Sequence, residues 1–147
     1  MQMNYSPSGY ALTKEFEGCR LTAYRDGGGV LTNGYGNTHH VMPGQITQAQ
    51  ADADLEANIQ DSVDSVNDLV KVHLTQGQFN SLVDFSFNLG SGALENSTLL
   101  RLLNAGDYAG AALQFLRWDH DNGKVVAGLT RRCEARQLMF NEGGNYV

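Results

Sequence analysis

Glu17 and Asp26 stand nine residues apart, and the hydroxyl of Thr32 follows six residues later. Two carboxyl groups with a hydroxyl nearby are what hydrolysis of a glycosidic bond requires. One carboxylic acid protonates the leaving oxygen, and the other carboxylate acts as nucleophile or as base for a water. Carboxyl groups about 5 Å apart imply retention, whereas about 6.5–9.5 Å leaves room for water and implies inversion. Spacing along the chain does not supply that distance. Thr32 leans towards inversion, because its expected use is to orient a water beside Asp26.

Local surroundings sort the roles. Glu17 has Phe16, Cys19 and Leu21 for company, and desolvation there would raise its pKa. The C-terminal end of a helix, where Glu17 is expected, also disfavours negative charge. Asp26 opens the run Asp26-Gly27-Gly28-Gly29, where solvent keeps a carboxylate ionised. Glu17 is therefore the candidate acid and Asp26 the candidate base. Singly, each residue reads as an ordinary surface Glu, turn Asp or strand Thr. Only the constellation carries the inference.

Helical register cannot bring these groups together, so other elements must. The segment from Ser8 to Phe16 predicts a short helix with Ser8 as N-cap and Gly18 as its stop, leaving Glu17 on the last turn. Tyr24 to Thr38, rich in Gly and carrying Val30, Leu31 and Tyr35, predicts a hairpin or small sheet. It would fold Asp26 and Thr32 back towards Glu17. Three adjacent glycines lose much conformational entropy on ordering, so this turn should be mobile until a substrate closes on it.

The rest of the chain reads as helix. Pro43-Gly44 marks a turn. Thr47 with Gln50 forms a capping-box pattern ahead of a long helix. That helix has Leu55, Ile59, Val63, Val66 and Val70 on one face and Asp52, Asp54, Glu56, Asp61 and Asp64 on the other. The acidic run lacks the glycine and loop spacing of a calcium-binding loop and reads as a solvated face. Thr75 with Gln78 is a second capping box. It precedes a segment of Phe79, Leu82, Val83, Phe85, Phe87 and Leu89 that is apolar on nearly all sides and should be a buried central helix. Ser97-Thr98 starts a short helix, Asp107 caps another, and Trp118 at its end reads as a core anchor rather than a sugar platform. A polar loop, Asp119 to Gly123, leads to a last helix from about Leu129 to Phe140. The tail from Asn141 to Val147 should be loosely held.

Composition narrows the function classes. The chain has 147 residues, 41% of them apolar, enough for one domain with a real core. A net charge of −6 argues against nucleic acid as partner, since phosphate binding needs a basic footprint. Arg131, Arg132 and Arg136 are the one local basic cluster; for Arg136 a solvated helix face is an equal reading. No apolar run is long enough to span a membrane. Met1 to Tyr10 is polar and lacks the basic start and apolar stretch of a secretory signal. Cys19 and Cys133 fit no metal pattern and read as two partly buried free thiols. His39 and His40 read as plain loop residues rather than metal ligands, so no metal is expected.

The run E-G-C-R-L-T-A-Y-R-D followed by L-T-N-G-Y-G resembles the catalytic segment of phage-type lysozymes, glycoside hydrolase family 24. The resemblance continues through L-T-Q-G-Q-F-N-S-L-V from residue 74, F-N-L-G from 87, S-T-L-L-R-L-L-N-A-G-D-Y from 97, F-L-R-W from 115 and G-L-T-R-R-C-E-A from 128. It covers roughly residues 8 to 142 in the family's order. The implied fold is α+β, mostly helical and two-lobed. A sheet lobe spans about 20–45, a bridging helix about 47–72, and a helical lobe about 73–142 together with the N-terminal helix, with a cleft between the lobes.

The implied activity is a cofactor-free muramidase. It would cleave the β-1,4 bond between N-acetylmuramic acid and N-acetylglucosamine in peptidoglycan, with inversion. Glu17 matches the general acid, Asp26 the second carboxylate and Thr32 the water-positioning hydroxyl. Arg132 matches a basic residue that pairs with the acid. Phe87 and Asn88 match positions that contact sugar, and Tyr24, Tyr35 and Gly36 join them as candidate substrate contacts. An enzyme of this kind is expected to be a monomer, made in a host cytoplasm without an export signal and not inserted in the membrane. A holin-type membrane partner would let it reach the wall.

Two positions depart from the family. Asn33 stands where an apolar residue is usual, and Asn37 where His is usual. An amide in an alkyl pocket without partners costs on the order of 1 to 3 kcal/mol. Asn37 would turn a salt bridge into a neutral hydrogen bond. One rival function is a wall-binding protein that has lost catalysis through Asn33 and Asn37; a second, independent of them, is a lytic transglycosylase, which needs the acid but no water-activating Asp.

Overall fold

The computed structural model describes residues 2–142. Helix α1 runs Pro7–Glu17. Proline suits a first helical position, because its missing N–H would be unsatisfied there anyway. Tyr10 donates back to the Ser6 carbonyl at 3.1 Å, so Ser8 lies inside the helix and is not its cap. Gly18, at φ +68°, ends it as expected. Strands β1 (Arg20–Arg25) and β2 (Leu31–Gly34) form the predicted hairpin, antiparallel, with Tyr24 opposite Thr32. The strand begins at Arg20, earlier than Tyr24, and its register is irregular between those two residues.

Helix α2 is Gln48–Leu69. Thr47 Oγ1 accepts from the Gln50 N–H at 3.1 Å, one limb of the predicted capping box. The Gln50 side-chain amide turns instead to Asp54 at 2.8 Å. Leu55, Ile59, Val63 and Val66 are buried along the predicted face. Val70 falls just beyond the helix and is half-buried.

The chain divides into two compact units, residues 13–61 and residues up to 12 with those from 62 onward; α2 contributes to both. In the first unit the buried set is small and partly polar: Thr13, Thr32, Asn33, Asn37, Ala51, Leu55 and Ile59. Gly34 lies so near α2 that an added Cβ would sit 3.4 Å from the Ala51 Cβ.

The second unit is built on α3 (Gln76–Leu89), whose Thr75–Gln78 capping box has both limbs in place. Phe85 meets Trp118 edge-on at 5.0 Å and Phe115 at 6.1 Å, and Phe115 meets Phe140 at 5.4 Å. Trp118 is thus attached to the core, as expected, and is itself only partly exposed. Helices α4 (Ser91–Glu95), α5 (Thr98–Asn104, capped by Ser97) and α6 (Tyr108–Gln114, capped by Asp107) follow, then a 3-10 turn at Phe115–Arg117. Helix α7, Ala127–Glu142, packs along α3.

Several expectations need correction. Helix α4 was not anticipated. The loop at 119–123 is in part a second hairpin, β3 (His120–Asp121) with β4 (Lys124–Val125). Asn122 and Gly123 turn it at φ 52° and 79°, the left-handed pair that a tight hairpin demands. Helix α7 starts before Leu129 and takes in Asn141 and Glu142; residues 143–147 lie outside the described residues. Finally, α3 buries Asn80, Ser81, Asp84 and Ser86 beside its apolar residues.

Candidate active site

Glu17 is the last residue of α1 and half-buried. Its carboxyl group touches the turn after β2: a Cβ built on Gly36 would come 3.3 Å from Glu17 Oε1, and Gly36 has φ +78°. Glycine serves there twice, for the left-handed backbone and for the close approach.

Asp26 closes its own turn. Its Oδ1 accepts from the N–H groups of Gly28 and Val30, both at 2.9 Å. The Asp26 N–H donates to the Val30 carbonyl at 2.9 Å, and Gly29 donates to the Asp26 carbonyl at 2.9 Å. Arg25 adds a bond to the Gly29 carbonyl at 2.9 Å. The three-glycine turn, for which the sequence predicts mobility, is held in this structure by these bonds. Both side-chain bonds fall on Oδ1.

Thr32 is buried, and its hydroxyl donates to the Val30 carbonyl at 2.8 Å. With that hydrogen committed, Oγ1 presents acceptor lone pairs to any further partner. Tyr24 and Thr32 are cross-strand partners, so their side chains leave the hairpin on one face. The Arg20 guanidinium stacks on the Tyr24 ring at 4.0 Å, covering part of it. Tyr35 is half-buried, and its hydroxyl accepts from Gln48 at 3.1 Å.

In the second unit, Phe87 and Asn88 are half-buried near the end of α3. Asn88 Oδ1 accepts from Arg136 at 2.7 Å, so its amide nitrogen is the end that faces other partners. Arg132 is not part of a surface patch. Its Nε and one terminal nitrogen grip Asp84 at 3.0 and 2.8 Å. Arg136, fully buried rather than solvated, reaches the same carboxylate at 2.7 Å. Burial pushes the Arg136 pKa down, and the Asp84 charge opposes that shift. Of the expected basic cluster only Arg131 is exposed. Asp84 was overlooked in the sequence, hidden among apolar neighbours. The available signal was a lone acid in an apolar helix, with two arginines four residues apart on a later one.

The two unusual asparagines answer each other. Asn33 and Asn37 are buried. The Asn37 amide nitrogen donates to Asn33 Oδ1 at 3.2 Å and to the His39 carbonyl at 3.1 Å. Asn37 Oδ1 accepts from His39 N–H at 3.2 Å and from Asn58 at 3.0 Å. No buried side-chain nitrogen or oxygen lacks a partner among the described residues. The penalty foreseen for an unpartnered amide is therefore avoided. Both cysteines are free, Cys133 buried and Cys19 exposed rather than partly buried.

A family profile described as Phage lysozyme matches residues 14–136. An endolysin of Bacillus phage B103 is 43% identical over 96% of this chain, which spans 55% of that protein. An endolysin of Acyrthosiphon pisum secondary endosymbiont phage 1 is 41% identical, over 94% of this chain and 98% of its own length. Among solved structures, the muramidase domain of SpmX from Asticaccaulis excentricus superposes with a TM-score of 0.87 at 37% identity. That match covers 93% of this chain and 97% of the other.

Proposed function

The chain belongs to the phage lysozyme family, and from that premise we propose that it is an endolysin-type muramidase that hydrolyses the glycan strands of bacterial peptidoglycan. The observation that carries this reading is the hydrogen bonding of Asp26 and Thr32 on one hairpin, in the same unit as Glu17. Glu17 serves as general acid. Asp26 keeps Oδ1 on its own turn and offers Oδ2 as the base. Thr32, with its hydrogen committed to Val30, accepts one hydrogen of the attacking water while Asp26 takes the other. The water's lone pair is then directed at the anomeric carbon from the side away from the leaving group, and the product inverts.

Arg132, whose Nε and one terminal nitrogen hold Asp84, is the basic residue of the family pattern in this proposal. Tyr24, the ring of Tyr35, Gly36, Phe87 and Asn88 contact the sugars. The biological role is lysis of a bacterial host, with synthesis in the cytoplasm and access to the wall through a holin-type partner.

Product analysis on purified peptidoglycan tests the reading. Wild type should release reducing muramic acid ends, first as the α-anomer, and Glu17→Gln should release none while remaining folded. Removing a catalytic proton donor costs about 10²–10⁴-fold by itself. Anhydromuramic products would replace hydrolysis by a transglycosylase reaction. Binding without any product would leave only a wall-binding protein.

A further inference from the structure

The Glu17 carboxyl group lies against the backbone of Gly36. Tyr35, the residue before it, belongs to a cluster of interacting side chains. Gln48, at the start of α2, donates through Nε2 to the Tyr35 hydroxyl at 3.1 Å and to Asp52 Oδ1 at 3.0 Å. Lys14 Nζ lies 3.3 Å from that same Asp52 oxygen and 5.6 Å from the centre of the Tyr35 ring. Lys14 precedes Glu17 by three residues on α1, so both leave the helix on one side. Asp52 is held below the usual carboxylate range by the Gln48 bond first and by Lys14 after it. The cluster therefore joins three elements: the helix that carries Glu17, the turn that meets its carboxyl group, and α2.

We propose that Gln48, acting with Lys14 and Asp52, is a positioning residue that holds the Tyr35–Gly36 turn at the carboxyl group of Glu17. The proposal rests on Glu17 being the acid. Exposed pairs of this kind contribute little to stability. Displacing a reacting group by about 1 Å can nevertheless cost about 10²-fold in rate. A positioning role thus has a signature: a large loss of turnover with a small loss of stability. It also gives the Tyr35 hydroxyl a use that does not involve sugar.

Gln48→Ala, Tyr35→Phe and the double variant test this on soluble, uncross-linked peptidoglycan strands. Each single variant should lose about 10-fold or more in kcat, within the range that misplacement produces. KM should stay within about twofold, and the double variant should be no slower than the worse single one. Tm should move by no more than about 2 °C. A rise in KM at unchanged kcat would make the Tyr35 hydroxyl a sugar contact and overturn the proposal. Additive losses, or losses that track melting, would also overturn it.

A second readout does not depend on turnover. In wild type the Gly36 amide resonance should follow the titration of Glu17, and in Gln48→Ala that response should shrink. A Gly36 amide that ignores Glu17 in wild type, or follows it equally in both proteins, sinks the positioning role even if hydrolysis is sound. A normal response in a protein that releases no product would sink the muramidase reading instead.

Discussion

Each unit of this molecule buries a polar cluster, and the two are built on opposite principles. In residues 13–61 the cluster is neutral: Asn33, Asn37 and Asn58, joined by amide hydrogen bonds of 3.0 and 3.2 Å. In the other unit it is ionic: one carboxylate, Asp84, held by Arg132 and Arg136 at 2.7 to 3.0 Å. A neutral network can lose a member and strand only an amide. An ionic one that loses its anion leaves two buried cations without the carboxylate they share. The second unit therefore has a keystone and the first does not.

The sharpest break is at that keystone. Asp84→Ala should destabilise by about 3–5 kcal/mol, the usual loss when one partner of a buried ion pair is removed. Chemical denaturation measures it, and a loss under 1 kcal/mol would show that the arginines find other anions. The neutral network should give way less. Asn37→Ala removes the hub that serves Asn33, His39 and Asn58 and should cost about 1–3 kcal/mol. Asn33→Ile restores an apolar side chain and takes only one bond from Asn37, which keeps His39 and Asn58. It should change stability by about 1 kcal/mol or less, and a larger loss would show that the amide of Asn33 is the true hub.

The smallest effect is chemical. Desolvation raises the Cys133 thiol pKa, and a raised pKa means less reactive thiolate at any given pH. Cys19 is exposed. At mildly alkaline pH, iodoacetamide should label Cys19 in the native protein and Cys133 only after unfolding, as read by peptide mass spectrometry. Equal labelling would mean that the second unit opens readily around α7.

Legibility followed the range of the interaction. Gly18, the Thr75–Gln78 box, Ser97 and Asp107 were readable because a cap and its target lie within four residues. The Asp26 turn was readable for the same reason, and its internal bonds all close within it. The short hairpin at 120–125 was missed although Asn122-Gly123 announces it, because its strands are only two residues each. Arg132 and Arg136 read as part of a local basic patch, and Arg136 equally as a solvated face, whereas both are buried on Asp84. Their partner Asp84 lies 48 and 52 residues away, and no local pattern encodes such a pairing.

By itself the sequence determined most of the elements and several of their ends, and it nominated the candidate catalytic groups, since caps, turns and apolar periodicity act between near neighbours. Tertiary structure alone decided which polar groups lose their water and with whom they are then paired. It put Gly36 under the carboxyl group of Glu17, gave the Tyr35 hydroxyl to Gln48, and set two arginines on one buried acid. Desolvation depends on everything that packs around a group, and that surrounding exists only once the chain has folded.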